Sequence, residues 1–291
     1  MRRLGLVGML LAATAVWGWT FTVVKDAVEV QHYGVIAFLA IRFAIGSALL
    51  GAPAIRRFRR RSLLVGAGIG IPLALGYFCQ TLGLRFTSVT NSGFITGLFV
   101  VTTPLLNRLL FGVKIRPRFW AAVGVSLAGL YLLTSAGPTR PNVGDLLTLA
   151  AAVCYGLHIS LLDRYAKEHH SLTLAFAQTG MTAVLFFAIW PLSDPLQWPS
   201  LPVWRDLAIT GVLATAACFA IQTYVQQRLP AITSTLILSA EPVFAALFGC
   251  ILLGERLGGI QVLGMALMIG AIVATQISAG EHASTYPLDP L

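Results

Sequence analysis

The chain has 291 residues, 57% of them hydrophobic and only 11% charged, where soluble domains carry roughly a quarter charged residues. That balance excludes a soluble globular protein, because a chain this size cannot hide so much apolar surface from water; the solvent must be lipid. Twenty Lys and Arg against eleven Asp and Glu give a formal net charge of +9, and the placement of these charges assigns the excess to membrane orientation rather than to nucleic acid.

The apolar runs, about 17–24 residues each and without period-two alternation, fit transmembrane helices rather than a β-barrel. Ten follow one another, at 4–24, 34–50, 63–84, 89–111, 119–134, 146–162, 172–192, 203–225, 231–253 and 257–277. The first is read as a retained span, since nine more follow it. The connections are short, and the polar stretch 280–291, with two prolines, is expected to be a disordered tail. With the N-terminus placed in the cytoplasm, thirteen Lys and Arg fall in inside loops and five outside. The bias predicts both termini inside, and the basic run Arg56–Arg61 is then a topology anchor. The four cysteines, Cys79, Cys154, Cys218 and Cys250, lie singly in apolar runs without a CxxC pair. They read as small core residues, and no metal or other cofactor is expected.

The ninth run carries a carboxylate, Glu241, near its middle, with Pro242 directly behind it. A charge at that depth costs about 2.5–3.5 kcal/mol or more unless paired or hydrated, and a proline removes one helix hydrogen bond. An expensive residue beside a helix breaker marks a functional site by default.

The sequence also repeats itself. Ala15-Val16-Trp17-Gly18 returns as Val153-Cys154-Tyr155-Gly156, Gln80-Thr81 as Gln222-Thr223, and the segment Ser88–Pro104 as Pro230–Pro242. Twelve residues separate Ser92 from Pro104 and eight separate Ser234 from Pro242, a difference of about one helical turn. Five spans in each half place the second half upside down relative to the first, which suits alternating access. The expected units are 4–135 and 144–277.

Trp17-Gly18, Arg42-Phe43, the Thr87–Asn91 turn and, above all, Glu241-Pro242 followed by Leu253-Gly254-Glu255-Arg256 resemble the EamA branch of the drug/metabolite transporter superfamily. Within that branch the chain is similar to the YddG-type exporters of aromatic and other amino acids. The first half departs from the pattern, having Thr103-Pro104 in place of Glu-Pro. The resemblance implies an all-α integral membrane protein of ten helices, a central cavity lined mainly by spans one, three, four, six, eight and nine, and residence in a bacterial-type inner membrane.

Helical spacing then selects the polar and aromatic groups that share a face. They are Trp17 and Thr20 on the first span, Tyr77 and Gln80 on the third, Thr96 and Phe99 on the fourth, Tyr155 and His158 on the sixth, Gln222 on the eighth, and Ser239 and Glu241 on the ninth. Arg42, Pro104 and Pro242 are assigned to structure or coupling. Arg42 and Glu241 lie at similar depth, so Glu241 either pairs with Arg42, handles substrate or a proton, or stands alone in its protonated form. A pocket that is aromatic, hydroxyl-bearing and poor in Lys and Arg disfavours phosphorylated solutes. It favours a zwitterionic amino acid or an organic cation, held by Glu241 and by the ring faces of Trp17 and Tyr155.

The sequence therefore predicts a secondary transporter, sufficient as a monomer in the bilayer, that exports amino acids and related metabolites. The alternative is an organic-cation or drug exporter. A channel lacks its charge ring or filter, and an intramembrane enzyme lacks a nucleophile–base or metal motif around His158. The fifth and tenth spans are expected to pack together as staves through Gly124 and Ala128 on one side and Ala266, Gly270 and Ala274 on the other.

Overall fold

A computed structural model describes residues 3–55, 59–87, 89–133, 142–253 and 257–280. The Thr87–Asn91 turn at Ser88, the Gly254-Glu255-Arg256 motif and the tail beyond Gly280 lie outside these residues. The described backbone is helical and contains no strand, as lipid demands of a chain that must satisfy its own amides and carbonyls. Among the described residues eight helices are long and apolar enough to cross a membrane, and Pro117–Leu133 and Gly259–Thr275 are shorter apolar helices.

The helices are α1 (Arg3–Lys25), α2 (Val35–Ile55), α3 (Arg60–Gly83), α4 (Val89–Gly97), α5 (Phe99–Phe111), α6 (Pro117–Leu133), α7 (Val143–Tyr165), α8 (Ser171–Ser193), α9 (Leu201–Ala208), α10 (Cys218–Gln226), α11 (Ala231–Leu238), α12 (Glu241–Leu253) and α13 (Gly259–Gly280). Three spans expected as single helices are therefore interrupted. A π-helical stretch, Ile209–Ala217, separates α9 from α10. The fourth span breaks at Leu98 and the ninth at Ser239-Ala240.

The two breaks correspond. Leu98 N–H donates to the Ile95 carbonyl and Ala240 N–H to the Ile237 carbonyl, each three residues back at 3.1 Å. Each second half-helix then restarts at the matching residue, Phe99 or Glu241. Pro242, which has no amide to give the Leu238 carbonyl, accounts for the break in the ninth span. Pro104 lies six residues past Leu98, inside α5, and does not account for the break in the fourth.

Two glycines let other helices cross these half-helices. A Cβ on Gly18 of α1 would stand 2.7 Å from the Glu241 carbonyl oxygen and 2.9 Å from Ala245 N of α12. A Cβ on Gly156 of α7 would stand 3.1 Å from Thr103 N of α5. The two aromatic-glycine pairs, Trp17-Gly18 and Tyr155-Gly156, thus do the same work. The glycine permits close backbone approach, and the residue before it is held at the centre of the protein.

The long loops are tied down by ends of other helices. The Asp194 carboxylate, just past α8, accepts from Ile36 N–H at 2.7 Å and Ala37 N–H at 3.0 Å, closing the otherwise orphaned first turn of α2. Asn142 and Asp145 form a reciprocal cap at the start of α7.

α6 and α13 do pack together, but not through the expected stripe. The contact is Gly129 on Gly264, where a Cβ on Gly129 would meet the Gly264 carbonyl at 2.6 Å. Gly124 and Gly270 face open space. Small residues recur on more than one face of each helix, and spacing alone did not select the buried one.

Candidate functional site

A central cavity, partly open to the surroundings, has about 700 Å³ of space between atoms, open solvent included. Ten of the eleven residues expected to contact cargo line it: Trp17, Thr20, Tyr77, Gln80, Thr96, Phe99, Tyr155, His158, Gln222 and Glu241. Arg42 lines it as well. Ser239 does not join them. It is fully buried, 3.1 Å from Ser126 Oγ of α6, and donates to the Leu236 carbonyl at 2.7 Å, so its hydroxyl ties α6 to the break of the ninth span. Pro104 and Pro242 stay in the helix backbone outside the lining.

The lining comes largely in corresponding pairs, one residue from each half of the sequence: Trp17 with Tyr155, Thr20 with His158, Gln80 with Gln222, Phe99 with Glu241. Sequence reasoning overlooked three further pairs that the structure adds, Phe21 with Ile159, Tyr77 with Phe219 and Thr96 with Leu238. The signal was available: the first stands one residue beyond the Thr20 and His158 match, and the other two keep the spacing of Gln80 to Gln222.

Six of the nineteen described lining residues are Phe, Tyr or Trp. Trp17 meets Phe219 edge-on with centroids 5.5 Å apart, and Tyr77 meets Tyr155 likewise at 5.5 Å. Trp17 is held by its ring N–H, which donates to the Ala214 carbonyl at 2.8 Å, within the π-helical stretch. Interrupted helices of this kind recur at functional sites because they free or redirect backbone groups. His158 Nε2 stands 2.7 Å from Gln178 Oε1, and Gln178 Nε2 donates to Thr223 Oγ1 at 2.9 Å, so the imidazole is anchored through one edge.

The polar pairs are unequal. Gln80 is used at both ends: Nε2 donates to Thr96 Oγ1 at 3.0 Å, and Oε1 accepts from the Tyr155 hydroxyl at 3.0 Å. Gln222 is 3% exposed, and its Oε1 is buried without a partner among the described residues. The corresponding residues explain this. Leu238 stands where Thr96 would be and offers no hydroxyl, and Trp17 stands where Tyr155 would be and spends its donor on Ala214.

Charge is unequal too. Arg42 is buried, with Nε donating to Thr215 Oγ1 at 3.1 Å and the guanidinium 4.8 Å from the Tyr77 ring centroid. Glu241 sits at the first turn of α12, where the positive end of a helix favours a carboxylate. No Arg42 nitrogen lies within 4.0 Å of a carboxylate oxygen among the described residues. The Arg42–Glu241 ion pair, one of the three readings open for Glu241, is not formed among the described residues, and both side chains line the cavity.

Leu6, Val7, Leu10, Val225, Leu229 and Ala231 belong to one apolar cluster near the start of α1, and the cavity lining extends to Val24 and Leu84, at the far ends of α1 and α3. Long apolar helices around a cavity with polar and aromatic lining define a multi-pass membrane protein built to hold a small solute. The sequence model of the EamA-like transporter family matches residues 4–135 and 142–276, and the chain belongs to that family.

An uncharacterized transporter of Archaeoglobus fulgidus is 32% identical over 278 residues, covering 93% of this chain and 85% of the relative. The threonine/homoserine exporter RhtA of Salmonella typhimurium is 30% identical over 68% of this chain and 72% of its own. The uncharacterized inner membrane transporter YedA of Escherichia coli is 28% identical over 99% of this chain and 94% of its own. A crystal structure 20% identical in sequence overlays with a TM-score of 0.78, covering 97% of this chain and 100% of the other, and shows the same fold.

Proposed function

We propose that this transporter exports amino acids and related small metabolites across the inner membrane by alternating access, with 4–135 and 144–277 acting as two inverted five-helix repeats. The observation that carries the reading is the central cavity itself. It is lined by matched residues of both halves, walled by aromatic rings, and holds an unpaired Glu241 at the start of a half-helix. Corresponding broken helices around a midplane site are the architecture in which one packing, used twice with opposite polarity, opens to either side. Both termini are placed in the cytoplasm on the Lys and Arg bias. A monomer contains the whole cavity.

Cargo is proposed to contact Trp17, Thr20, Tyr77, Gln80, Thr96, Phe99, Tyr155, His158, Gln222 and Glu241. Glu241 receives an ammonium group, and the rings of Trp17 and Tyr155 stack on an apolar or cationic moiety. The named function of RhtA supports amino acid cargo; the six aromatic rings in the lining support the narrower likeness to exporters of aromatic amino acids. The second reading, an exporter of organic cations, is favoured by Glu241 and the ring faces alone.

Counterflow of radiolabelled amino acids into proteoliposomes tests the proposal. While eluting as monodisperse protein, Glu241→Gln is expected to lower the initial rate at least about tenfold, by loss of a charge-assisted contact worth about 1.5–3 kcal/mol, and Trp17→Ala about two- to thirtyfold, by loss of a ring face worth about 0.5–2 kcal/mol. Undiminished flux in both variants would remove the assigned site.

A further inference from the structure

Arg42 carries the only fixed positive charge in the described lining of the cavity, and Glu241 the only carboxylate. A guanidinium does not shed its proton in a protein, so at 2% exposure Arg42 remains a buried cation. Among the described residues no carboxylate oxygen lies within ion-pair distance of it. Its Nε is committed to Thr215 Oγ1 at 3.1 Å, and that hydroxyl donates onward to the Thr210 carbonyl at 2.9 Å. One terminal nitrogen reaches the Tyr77 hydroxyl only at 3.5 Å, the outer limit of a hydrogen bond. The group is nonetheless held still, 4.8 Å from the Tyr77 centroid and 5.6 Å from that of Phe43. A fixed, stacked guanidinium with an idle terminal edge is suited to planar, two-pronged recognition of a carboxylate. Glu241, also without an ion-pair partner among the described residues, is its chemical opposite in the same cavity.

A buried cation and a half-buried carboxylate that form no ion pair are each costly. A cargo bearing one charge of each sign relieves both at once; an organic cation relieves only Glu241. Resting on the export reading above, we infer that Arg42 receives the carboxylate of the cargo while Glu241 receives its ammonium group. The site then takes zwitterions, and Arg42 is the residue that separates amino acids from amines and amides of the same shape.

The experiment is competition for radiolabelled amino acid uptake in proteoliposomes of the full chain, comparing L-tryptophan with L-tryptophanamide and L-threonine with L-threoninamide. The amides keep the ammonium group and lose the carboxylate. In the wild type the acid is expected to compete at least about tenfold better than its amide, the ratio for one charge-assisted contact. In Arg42→Gln that ratio is expected to fall to about one, with Arg42→Lys between, since a point charge lacks the fork. A wild-type ratio near one, or a ratio preserved in Arg42→Gln, overturns the assignment while leaving amino acid export standing. A wild-type ratio near one, together with a lowered melting midpoint in Arg42→Gln, assigns Arg42 to the fold, as a partner that closes on Glu241. If Arg42→Gln does not fold, the wild-type ratio decides. No uptake of any amino acid by the wild type overturns the export reading and this assignment with it.

Discussion

The fourth and ninth spans break at corresponding residues, with the same short hydrogen bond and a crossing glycine from the partner helix, yet they deliver different chemistry to the cavity. The fourth presents Thr96 and Phe99; the ninth presents Leu238 and Glu241. On the first side the polar groups are consumed by the scaffold, as Gln80 with Thr96 and Tyr155 shows. On the second side Gln222 and Glu241 lack such partners. A shared frame with unshared side chains separates what the fold requires from what the cargo requires: the backbone break and the glycines belong to the frame, and the unpaired acceptors belong to the solute.

The glycines make the sharpest break in this comparison. Gly18→Leu forces a side chain into the Glu241 carbonyl and Ala245 N, at 2.7 and 2.9 Å from the first added carbon, and backbone there cannot yield as a side-chain tip would. Gly156→Leu meets Thr103 N at 3.1 Å. Overpacking of this kind costs about 1–3 kcal/mol and often more. Both variants are expected to lose most of the monodisperse peak in detergent size-exclusion, Gly18→Leu at least as severely as Gly156→Leu. A full peak for either would show that its crossing is not close and would dissolve the correspondence.

The two glutamines sharpen the comparison at smaller scale. Gln80→Leu leaves Thr96 and the Tyr155 hydroxyl without their partner, and an unsatisfied buried group costs about 1–3 kcal/mol. Gln222→Leu removes a carbonyl that is already unpaired and adds apolar surface in its place, so it is expected to be neutral or stabilising by about 1 kcal/mol. The reading is the thermal midpoint in detergent: Gln80→Leu falls by several degrees, Gln222→Leu holds or rises. Equal falls would mean that the two positions serve the scaffold alike.

Much of this was legible in the sequence because depth and period constrain a chain in lipid. Apolar runs located the long helices, and the matches Trp17-Gly18 to Tyr155-Gly156 and Gln80 to Gln222 carried most of the cavity lining. Three things were not legible. The break in the fourth span falls at Leu98 rather than at Pro104, since proline shows only where a helix tolerates a missing bond. Ser239 turns to Ser126 because a residue inside a break leaves the helical register on which stripe reasoning depends. Arg42 and Glu241 line the same cavity, but a similar place along the helices does not fix their azimuth, and among the described residues they form no ion pair with each other.

The ends of the molecule offer the mildest test, because their ties also differ from side to side. Where α3 starts, Ser62 Oγ stands 2.9 Å from His169 Nδ1, and the imidazole is held below the usual histidine range by partial burial first and Arg61 second, with Glu168 opposing. At the other side Tyr33 donates to the Gln197 carbonyl at 3.0 Å, and burial, then Asp194, pushes its phenol above the usual tyrosine range. The signs are opposite. A depressed imidazole gives stability that is whole above the unfolded value, about 6.5, and is lost as pH falls through it; a raised phenol gives stability that is whole below about 10 and is lost as pH climbs past it. Melting midpoints across pH are therefore expected to drop slightly at both extremes. His169→Gln should flatten only the acid limb and Tyr33→Phe only the alkaline one, each by about a degree or two. A single variant that flattened both limbs would show that the two ends are coupled through the helices between them, and the division into a frame with separately tied ends would fail.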